Sequence, residues 1–281
     1  MSTLEQLLPR LAKLLDRLEG VPPEPVSWKS VRAAKWLSGS KNFRPIPHPY
    51  AMPFEALHGI DEQKQQVDAN TRQFVAGKPA NNVLLTGARG CGKSSLVRAM
   101  LTCYGKKGLR MIEVDKRGLM DFPEILAQLE GLPEKFVLYC DDLSFGESET
   151  GYAELKAALD GSLAGPLDNV LIYATSNRRH LLPEYYAENE ATVHEGNEIH
   201  AAEAVEEKIS LSDRFGLWVS FYAMEQDVYL AVAREWAQRL AAKDTDSERF
   251  TRAALQWSLA RSARSGRVAY QFAKDWAGQG R

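Results

Sequence analysis

The sequence has few cysteines and no long apolar run. Cys91, Cys103 and Cys140 are its three cysteines among 281 residues. Their odd number and lack of metal-type spacing argue against a disulfide framework and a cysteine metal site, and favour a reduced, cytoplasmic setting. No run approaches the roughly 18–20 apolar residues that a membrane-spanning helix needs. The first residues lack a basic start followed by an apolar core, so no signal peptide is expected.

The sequence also lacks a large excess of charge of either sign. The net charge is −2, with 26% charged and 44% hydrophobic residues, which is ordinary for a soluble globular protein. Composition therefore gives no global reason to expect nucleic acid or an anionic membrane as a partner. The length allows one large domain, or a large and a small one.

Residues 87–94 read Gly-Ala-Arg-Gly-Cys-Gly-Lys-Ser, the pattern G-x-x-x-x-G-K-S, directly behind the apolar run 83–85. A strand that ends in such a loop and continues as a helix forms a nest of backbone N–H groups that holds phosphate. Lys93 is expected to reach the β- and γ-phosphates and Ser94 to contact Mg²⁺. A chance glycine-rich turn is the alternative, but the flanking strand and helix patterns disfavour it. The predicted phosphate-loop residues are Gly87, Ala88, Arg89, Gly90, Cys91, Gly92, Lys93, Ser94 and Ser95.

The region before this motif contains a leucine stripe at helical spacing over residues 3–19, which ends at a proline cluster. Residues 28–49 then interleave basic and aromatic side chains. Such a segment can bind nucleic acid. More often, it docks as an amphipathic arm on its own protein or on a neighbouring subunit.

From residue 57 onward, helix-like and strand-like segments alternate. Strands are predicted at 83–85, 109–114, 135–140, 170–175 and 217–221, and helices at 59–74, 94–104, 121–130, 151–163 and 200–208. Apolar strands separated by helices predict a mostly parallel sheet covered on both faces. After residue 222 the pattern is helical through 277. The predicted domains are a helical and basic-aromatic extension over 1–53, an α/β ATP-binding domain over 54–222, and a helical lid over 223–281.

An acidic segment at 184–207 contains eight glutamates and almost no large apolar side chains. It is expected to be a solvated surface loop, and in a nucleotide-driven machine it would be available to a partner or a pore. His194, Glu195, Glu198 and His200 are conceivable metal ligands, but free surface residues are the favoured interpretation.

Two predicted strands end in polar residues suited to nucleotide chemistry. Asp141 and Asp142 follow the third strand, where the first carboxylate would help to hold hydrated Mg²⁺ and the second would orient or deprotonate the attacking water. Alternatively, the two aspartates simply begin a loop. Asn177 follows the fourth strand and would contact the γ-phosphate or the water. Arg178 and Arg179 would reach a neighbouring subunit's phosphate or merely cap the loop.

Two further arginines are candidates for the phosphate. Arg214 precedes the fifth strand, and its planar cation can project across a subunit interface to offset charge on the γ-phosphate. Its alternative role is a local salt bridge with Asp213 or Glu207. Arg267, at the start of the last predicted helix, would reach from the lid to the triphosphate.

These elements, in this order, resemble the AAA+ ATPases over about residues 54–275. The phosphate loop, acidic strand end, Asn177, Arg214 and Arg267 match the Walker A, Walker B, sensor 1, arginine-finger and sensor 2 elements. Residues 57–61 resemble the segment that lies against adenine, so Gly59 and Ile60 are expected nucleotide contacts. Stretches 140–145, 172–181 and 207–216 resemble a bacterial P-loop family catalogued as a domain of unknown function, number 815.

The resemblance implies an α/β P-loop fold with a five-stranded parallel sheet of order 5-1-4-3-2 and a small C-terminal helical lid. It also implies ATP with Mg²⁺ as cofactors and assembly into a homo-oligomeric ring, commonly a hexamer. The expected function is ATP hydrolysis that remodels or regulates a macromolecular partner.

Two departures from the AAA+ pattern concern catalysis. Most members end the acidic strand in Asp-Glu, so the shorter Asp142 predicts slow turnover and favours an alternative role as a nucleotide-gated switch or scaffold. Threonine is frequent where Cys91 stands, but the backbone there still serves the phosphate. A DNA-associated loader is a further alternative, because the N-terminal arm and residues 261–267 are locally basic. A GTPase is disfavoured, because no Asn-Lys-x-Asp segment is present.

Overall fold

The computed structural model describes residues 26–143, 152–160, 167–177 and 213–279. Several sequence predictions lie outside these ranges: the helices at 3–19 and 200–208, the acidic segment 184–207, Arg178 and Arg179. The strands are β1 Ala33–Leu37, β2 Asn42–Pro45, β3 Val83–Gly87, β4 Leu109–Glu113, β5 Lys135–Cys140, β6 Val170–Ser176 and β7 Leu217–Phe221. The α-helices are α1 Asp61–Val75, α2 Lys93–Tyr104, α3 Phe122–Leu129, α4 Tyr152–Asp160, α5 Gln226–Arg239, α6 Glu248–Ala260 and α7 Gly266–Gly278.

The strands form a single seven-stranded sheet in the order β2-β1-β4-β5-β6-β3-β7. Every neighbouring pair is parallel except β1 and β2, which are antiparallel. The prediction of a five-stranded sheet was therefore wrong, and the order of the whole sheet differs from the one expected. The five strands foreseen from the sequence form one side of the sheet, from β7 to β4. The two additional strands extend its edge beyond β4.

These additional strands come from the basic and aromatic segment near the N-terminus. β1 pairs in parallel with β4, and its other side pairs with β2, which ends at Pro45 on the edge of the sheet. The aromatic rings of Trp28, Trp36 and Phe43 are buried and pack edge to face at 5.0–5.3 Å. These rings belong to the core and are not available to stack on nucleic acid bases, so the segment docks on its own protein.

Helices cover both faces of the sheet. Strand side chains alternate between the faces, so Leu84 packs into the core under α3 and α4 while Leu85 packs into the core under α1 and α2. Strands β3 to β6 are buried almost throughout, as expected for parallel strands between two helical layers.

The last three helices form a separate core behind the sheet. α5 and α7 make the most extensive contacts within it, and Phe250, Phe272 and Trp276 pack edge to face or tilted at its centre. Trp276 is buried, whereas Trp236 and Trp257 pack partly buried against this core. Ser247 and Ser265 cap α6 and α7 by accepting hydrogen bonds from backbone N–H groups in the first turn.

In the part of the chain that the structure describes, no helix combines the length and the apolar character that a bilayer span requires.

Candidate functional site

A cavity lies where β3, β5 and β6 end and α2 begins. In parallel sheets covered by helices, ligands bind outside the carboxyl ends of the strands. Here the loop 88–92 follows β3, Asp141 and Asp142 follow β5, and Asn177 follows β6. The sheet order places β6 between β3 and β5, so these three strand ends meet at one edge.

The loop between β3 and α2 has a backbone that only glycine adopts easily. Gly87, Gly90 and Gly92 have φ angles of 136°, 80° and 108°. A Cβ on Gly87 would lie 2.1 Å from the carbonyl oxygen of Phe221, and one on Gly90 would lie 2.7 Å from the Cβ of Ser265. The glycines therefore permit both the left-handed turns and the close packing of this loop.

Lys93 is the first residue of α2 and only 5% exposed. Its Nζ donates hydrogen bonds to the carbonyl oxygens of Gly87 at 2.6 Å and Ala88 at 2.8 Å. It also donates to Oδ1 of Asn177 at 3.1 Å. The ammonium group is thus held inside the loop, at the positive end of the α2 dipole, where two positive groups together favour an anion.

Cys91 lies inside the same loop. It is buried, and its thiol donates to the carbonyl oxygen of Ala88 at 2.9 Å. Burial raises the pKa of the Cys91 thiol, although nearby Lys93 opposes this shift. The thiol is therefore an uncharged packing group at neutral pH.

Ser94 and Asp141 connect the start of α2 to the end of β5. The hydroxyl of Ser94 donates to Oδ1 of Asp141 at 2.8 Å, and the hydroxyl of Thr175 donates to the same oxygen at 2.6 Å. Burial alone would raise the pKa of Asp141. The hydroxyls of Thr175, Tyr139 and Ser94 and the charge of Arg98 outweigh burial and hold that pKa below its usual range. The carboxylate is therefore ionised at neutral pH.

Asp142 has a backbone and a carboxylate that are both constrained. Its φ angle is 56°, an uncommon conformation for a residue with a side chain. Its backbone N–H donates to the hydroxyl of Thr175 at 2.9 Å, and Oδ1 accepts a hydrogen bond from the amide of Asn177. Oδ2 lies 3.7 Å from the guanidinium of Arg89. Asn177 therefore links Lys93 on one side to Asp142 on the other.

The cavity has a volume of about 660 Å³ and brings together most of the predicted nucleotide residues. The loop 88–92 gives the cavity a polar part, and apolar and aromatic side chains, several of them from α5 and α7, give it an apolar part. The predicted site residues that line it are Ile60, Arg89, Gly90, Cys91, Gly92, Lys93, Ser94, Ser95, Asp141, Asp142, Asn177 and Arg267. Gly87, Ala88, Gly59 and Arg214 are not among its lining residues.

Several lining residues were not predicted as site residues. Thr175 is the most informative, because its hydroxyl contacts both aspartates. The sequence signal for Thr175 was a hydroxyl near the end of β6, the strand beside β5, which Asp141 follows. The apolar part is formed by Tyr50, Met52, Trp236 and Tyr270 among others. These residues come from distant parts of the chain and share no motif that points to a site.

Two of the predicted residues lie at the rims of the site. Gly59, with a φ of 68°, packs against Val228 of α5, where a Cβ would approach to 2.5 Å. Its role is thus to let the lid approach the segment before α1. Arg267, at the start of α7, lines the cavity above Gly90.

Arg214 is held away from the cavity of its own chain. Its Nε donates to Oδ1 of Asp160 at the end of α4, at 2.6 Å. Of the two acidic partners considered from the sequence, Glu207 lies outside the described residues.

A family model and several solved structures match this chain. A family model described as "Protein of unknown function (DUF815)" matches residues 29–280. No curated protein matches the sequence. Among solved structures, a proline-to-glycine mutant of Thermotoga maritima RuvB has a TM-score of 0.54 at 16% identity, and the match covers 79% of this chain and 64% of the RuvB chain.

Other RuvB structures from Thermotoga maritima give lower scores. An alanine-to-serine mutant has a TM-score of 0.49 at 13% identity, with 80% of this chain and 72% of RuvB covered. The protein described as the RuvB Holliday junction branch migration motor has a TM-score of 0.45 at 13% identity, with 81% and 72% covered. RuvB is an AAA+ ATPase. The chain therefore has the α/β P-loop fold of the AAA+ proteins, and it belongs to the DUF815 family.

Proposed function

We propose that this protein binds ATP with Mg²⁺ in the cavity between β3 and α2, and hydrolyses it to remodel or regulate a macromolecular partner. The observation that supports this proposal most is the nearly buried ammonium group of Lys93 inside a loop of left-handed glycines. A buried charge is costly without compensating partners. An anionic phosphate beside Lys93 would supply that compensation and would use the free N–H groups at the start of α2.

The two parts of the cavity fit the two ends of a nucleotide. Its volume of about 660 Å³ is within the usual range for small-molecule sites, about 300–1,000 Å³. The phosphate loop provides amides and Lys93 for the triphosphate. Leu57 and Trp236 also line the cavity, where apolar and aromatic groups favour a planar base. Ile60 lies beside Gly92 of the loop.

Ser94 and Asp141 are the residues that would hold Mg²⁺. Mg²⁺ is commonly bound by one or two carboxylates together with substrate phosphates and water. In the described ranges, no group of three or more His, Cys, Asp or Glu side chains is placed to hold a metal alone. A hydroxyl and one ionised carboxylate fit a metal that enters with the nucleotide. When bound, Mg²⁺ would neutralise charge on the β- and γ-phosphates.

Asp142 and Asn177 are the residues that would act on the attacking water. Asp142 would accept its proton, and the amide of Asn177 would hold the water or the γ-phosphate in place. The present contacts support these roles, because Asn177 bonds to both Lys93 and Asp142. Asn177 thus connects the lysine proposed to bind the phosphate with the aspartate proposed to act on the water.

A homo-oligomeric ring is part of the proposal. Arg214 pairs with Asp160 and does not line the cavity of its own chain. A catalytic role for this arginine therefore requires the phosphate of a neighbouring subunit. Its guanidinium would then offset charge on the γ-phosphate across the interface.

Calorimetric titration of Mg-ATP tests the proposal directly. We expect saturable binding by the wild type and at least about 100-fold weaker binding by Lys93→Ala, because the variant loses a charged contact to phosphate. Lys78→Ala is the matched control, since Lys78 is an exposed lysine after α1. Absence of binding by folded wild-type protein would refute the proposal.

A nucleotide-gated switch with little hydrolysis is the second candidate. The observation that favours it is the carboxylate of Asp142, which is engaged on both oxygens by Asn177 and Arg89. A carboxylate in such contacts is less available to a water molecule than a free one. Its side chain is also one methylene shorter than the glutamate common in AAA+ proteins.

Steady-state ATP hydrolysis separates the two candidates. For an active ATPase, we expect the wild type to exceed Lys93→Ala clearly, and Asp142→Asn to bind Mg-ATP with hydrolysis lowered to the level of Lys93→Ala. For a switch, the wild type would hydrolyse no faster than Lys93→Ala while still binding Mg-ATP. A gain of hydrolysis in Asp142→Glu would show that side-chain length limits the wild-type rate.

A further inference from the structure

Tyr139 has a buried hydroxyl for which the fold offers no structural explanation. The residue lies on β5, two positions before Asp141, and is only 4% exposed. Its ring packs in the core under α1 and α2, and a phenylalanine would fill the same space. Its hydroxyl has no hydrogen-bond partner of good geometry among the described residues.

Other buried tyrosines in the described part of the chain use their hydroxyls. Tyr104 donates to Asp68, Tyr229 donates to a backbone carbonyl, and Tyr173 contacts Thr71 and Asn70. A buried polar group that lacks a partner destabilises the fold. The Tyr139 hydroxyl, buried without a well-aligned partner, is therefore a candidate for a role in the site beside it.

The surroundings of this hydroxyl identify the partner. Alternate residues of a strand face the same side, so Tyr139 and Asp141 share a face of β5 beside the start of α2. The Tyr139 hydroxyl is near enough to help lower the pKa of Asp141, but it forms no well-aligned hydrogen bond with that carboxylate. Oδ1 of Asp141 already accepts hydrogen bonds from Ser94 and Thr175.

We infer that Tyr139 is a positioning residue for the proposed metal site, donating from its hydroxyl to the carboxylate of Asp141 when Mg²⁺ is held there. Groups that orient a metal ligand raise metal affinity although they do not touch the metal. The inference rests on the proposed function, because it requires that nucleotide and metal bind together at Ser94 and Asp141.

The test compares the Kd of a fluorescent ATP analogue in Mg²⁺ with its Kd in EDTA. The Kd in EDTA divided by the Kd in Mg²⁺ measures the coupling between metal and nucleotide. In Tyr139→Phe we expect the Kd in EDTA to be unchanged and the ratio to fall about 10-fold, the usual scale for loss of a group that supports a metal ligand. Damage to the fold alone would raise both Kd values by the same factor and leave the ratio unchanged.

Tyr173→Phe is the matched control. Tyr173 lies directly opposite Tyr139 on β6, and its hydroxyl bonds to Thr71 and Asn70 away from the metal ligands. We expect this variant to keep the wild-type ratio and Asp141→Asn to reduce the ratio to about one. A wild-type ratio in Tyr139→Phe would overturn the inference while leaving the proposed function intact. Absence of nucleotide binding by the wild type would overturn both.

Discussion

The backbone N–H of Gly266 donates a 2.9 Å hydrogen bond to the carbonyl oxygen of Gly90. Gly90 lies in the phosphate loop, and Gly266 begins the last helix of the lid. The lid therefore rests directly on the loop, through main-chain atoms and without an intervening side chain. A change in the position of this loop is transmitted to α7 by a contact that has little room to adjust.

Gly90→Ala is expected to separate the lid from the loop. The new Cβ would lie 2.7 Å from the Cβ of Ser265, so the lid must shift. Gly77→Ala is the control, because Gly77 has a φ of 72°, close to the 80° of Gly90, but no atom near its Cβ. We expect Gly90→Ala to lose about 1–3 kcal/mol more unfolding free energy than Gly77→Ala. Equal losses in denaturant titrations would argue against this packing.

Asn177→Ala is expected to lower kcat for ATP hydrolysis about 100-fold with little change in KM, because a group that places the water acts mainly in the transition state. Asn177→Asp should also raise KM, since a carboxylate beside Lys93 would compete with phosphate for that cation. Asn169→Ala is the control. Asn169 lies just before the first residue of β6, at the end of the strand opposite Asn177, and its side chain donates hydrogen bonds to backbone carbonyls. An unchanged kcat in Asn177→Ala would exclude the proposed role.

Arg214→Ala tests catalysis across a subunit interface. We expect this variant and Lys93→Ala each to be inactive alone, and mixed oligomers of the two to recover part of the hydrolysis. A mixed interface can combine an intact phosphate loop from one chain with an intact arginine from the other. Hydrolysis by the two proteins is measured separately and after mixing. No recovery in oligomers shown to be mixed would indicate a purely structural role for Arg214.

The pH dependence of stability should report the environment of Asp141. Its pKa is held low in the folded protein, mainly because hydrogen bonds outweigh burial. The stability from this lowered pKa is fully present above the unfolded value of about 3.9 and is lost as pH falls through the lower, folded pKa. The unfolding free energy of the wild type minus that of Asp141→Asn should thus be constant between about pH 5 and 7 and should decline below about pH 4. A constant difference down to pH 3 would contradict this account.

The elements of the α/β domain that were predictable are those with a local signal. Strands β3 to β7 are short apolar runs, and each predicted strand begins at the residue where the structure begins it. The phosphate loop was identified because glycines, Lys93 and Ser94 must occur at fixed spacing to cradle phosphate. The AAA+ fold is confirmed by the structural match to RuvB.

The N-terminal strands were missed because their signal is not local. Ala33–Leu37 is short, contains Lys35, and is flanked by other basic residues. It forms a strand because β4 offers an unpaired edge and because Trp36 finds a core under α3. Sequence alone shows neither the edge nor the core.

The chemistry proposed for the loop 88–92 and its surroundings could be predicted from the sequence, because it depends on neighbouring residues of one loop and of two strand ends. The apolar part of the cavity and the link from Lys93 through Asn177 to Asp142 exist only in the folded chain, since their groups are more than thirty residues apart along the sequence. The same holds for Tyr139, whose pattern is that of a core residue. Only the packing of β5 against α2 leaves its hydroxyl buried beside Asp141 without a well-aligned hydrogen bond.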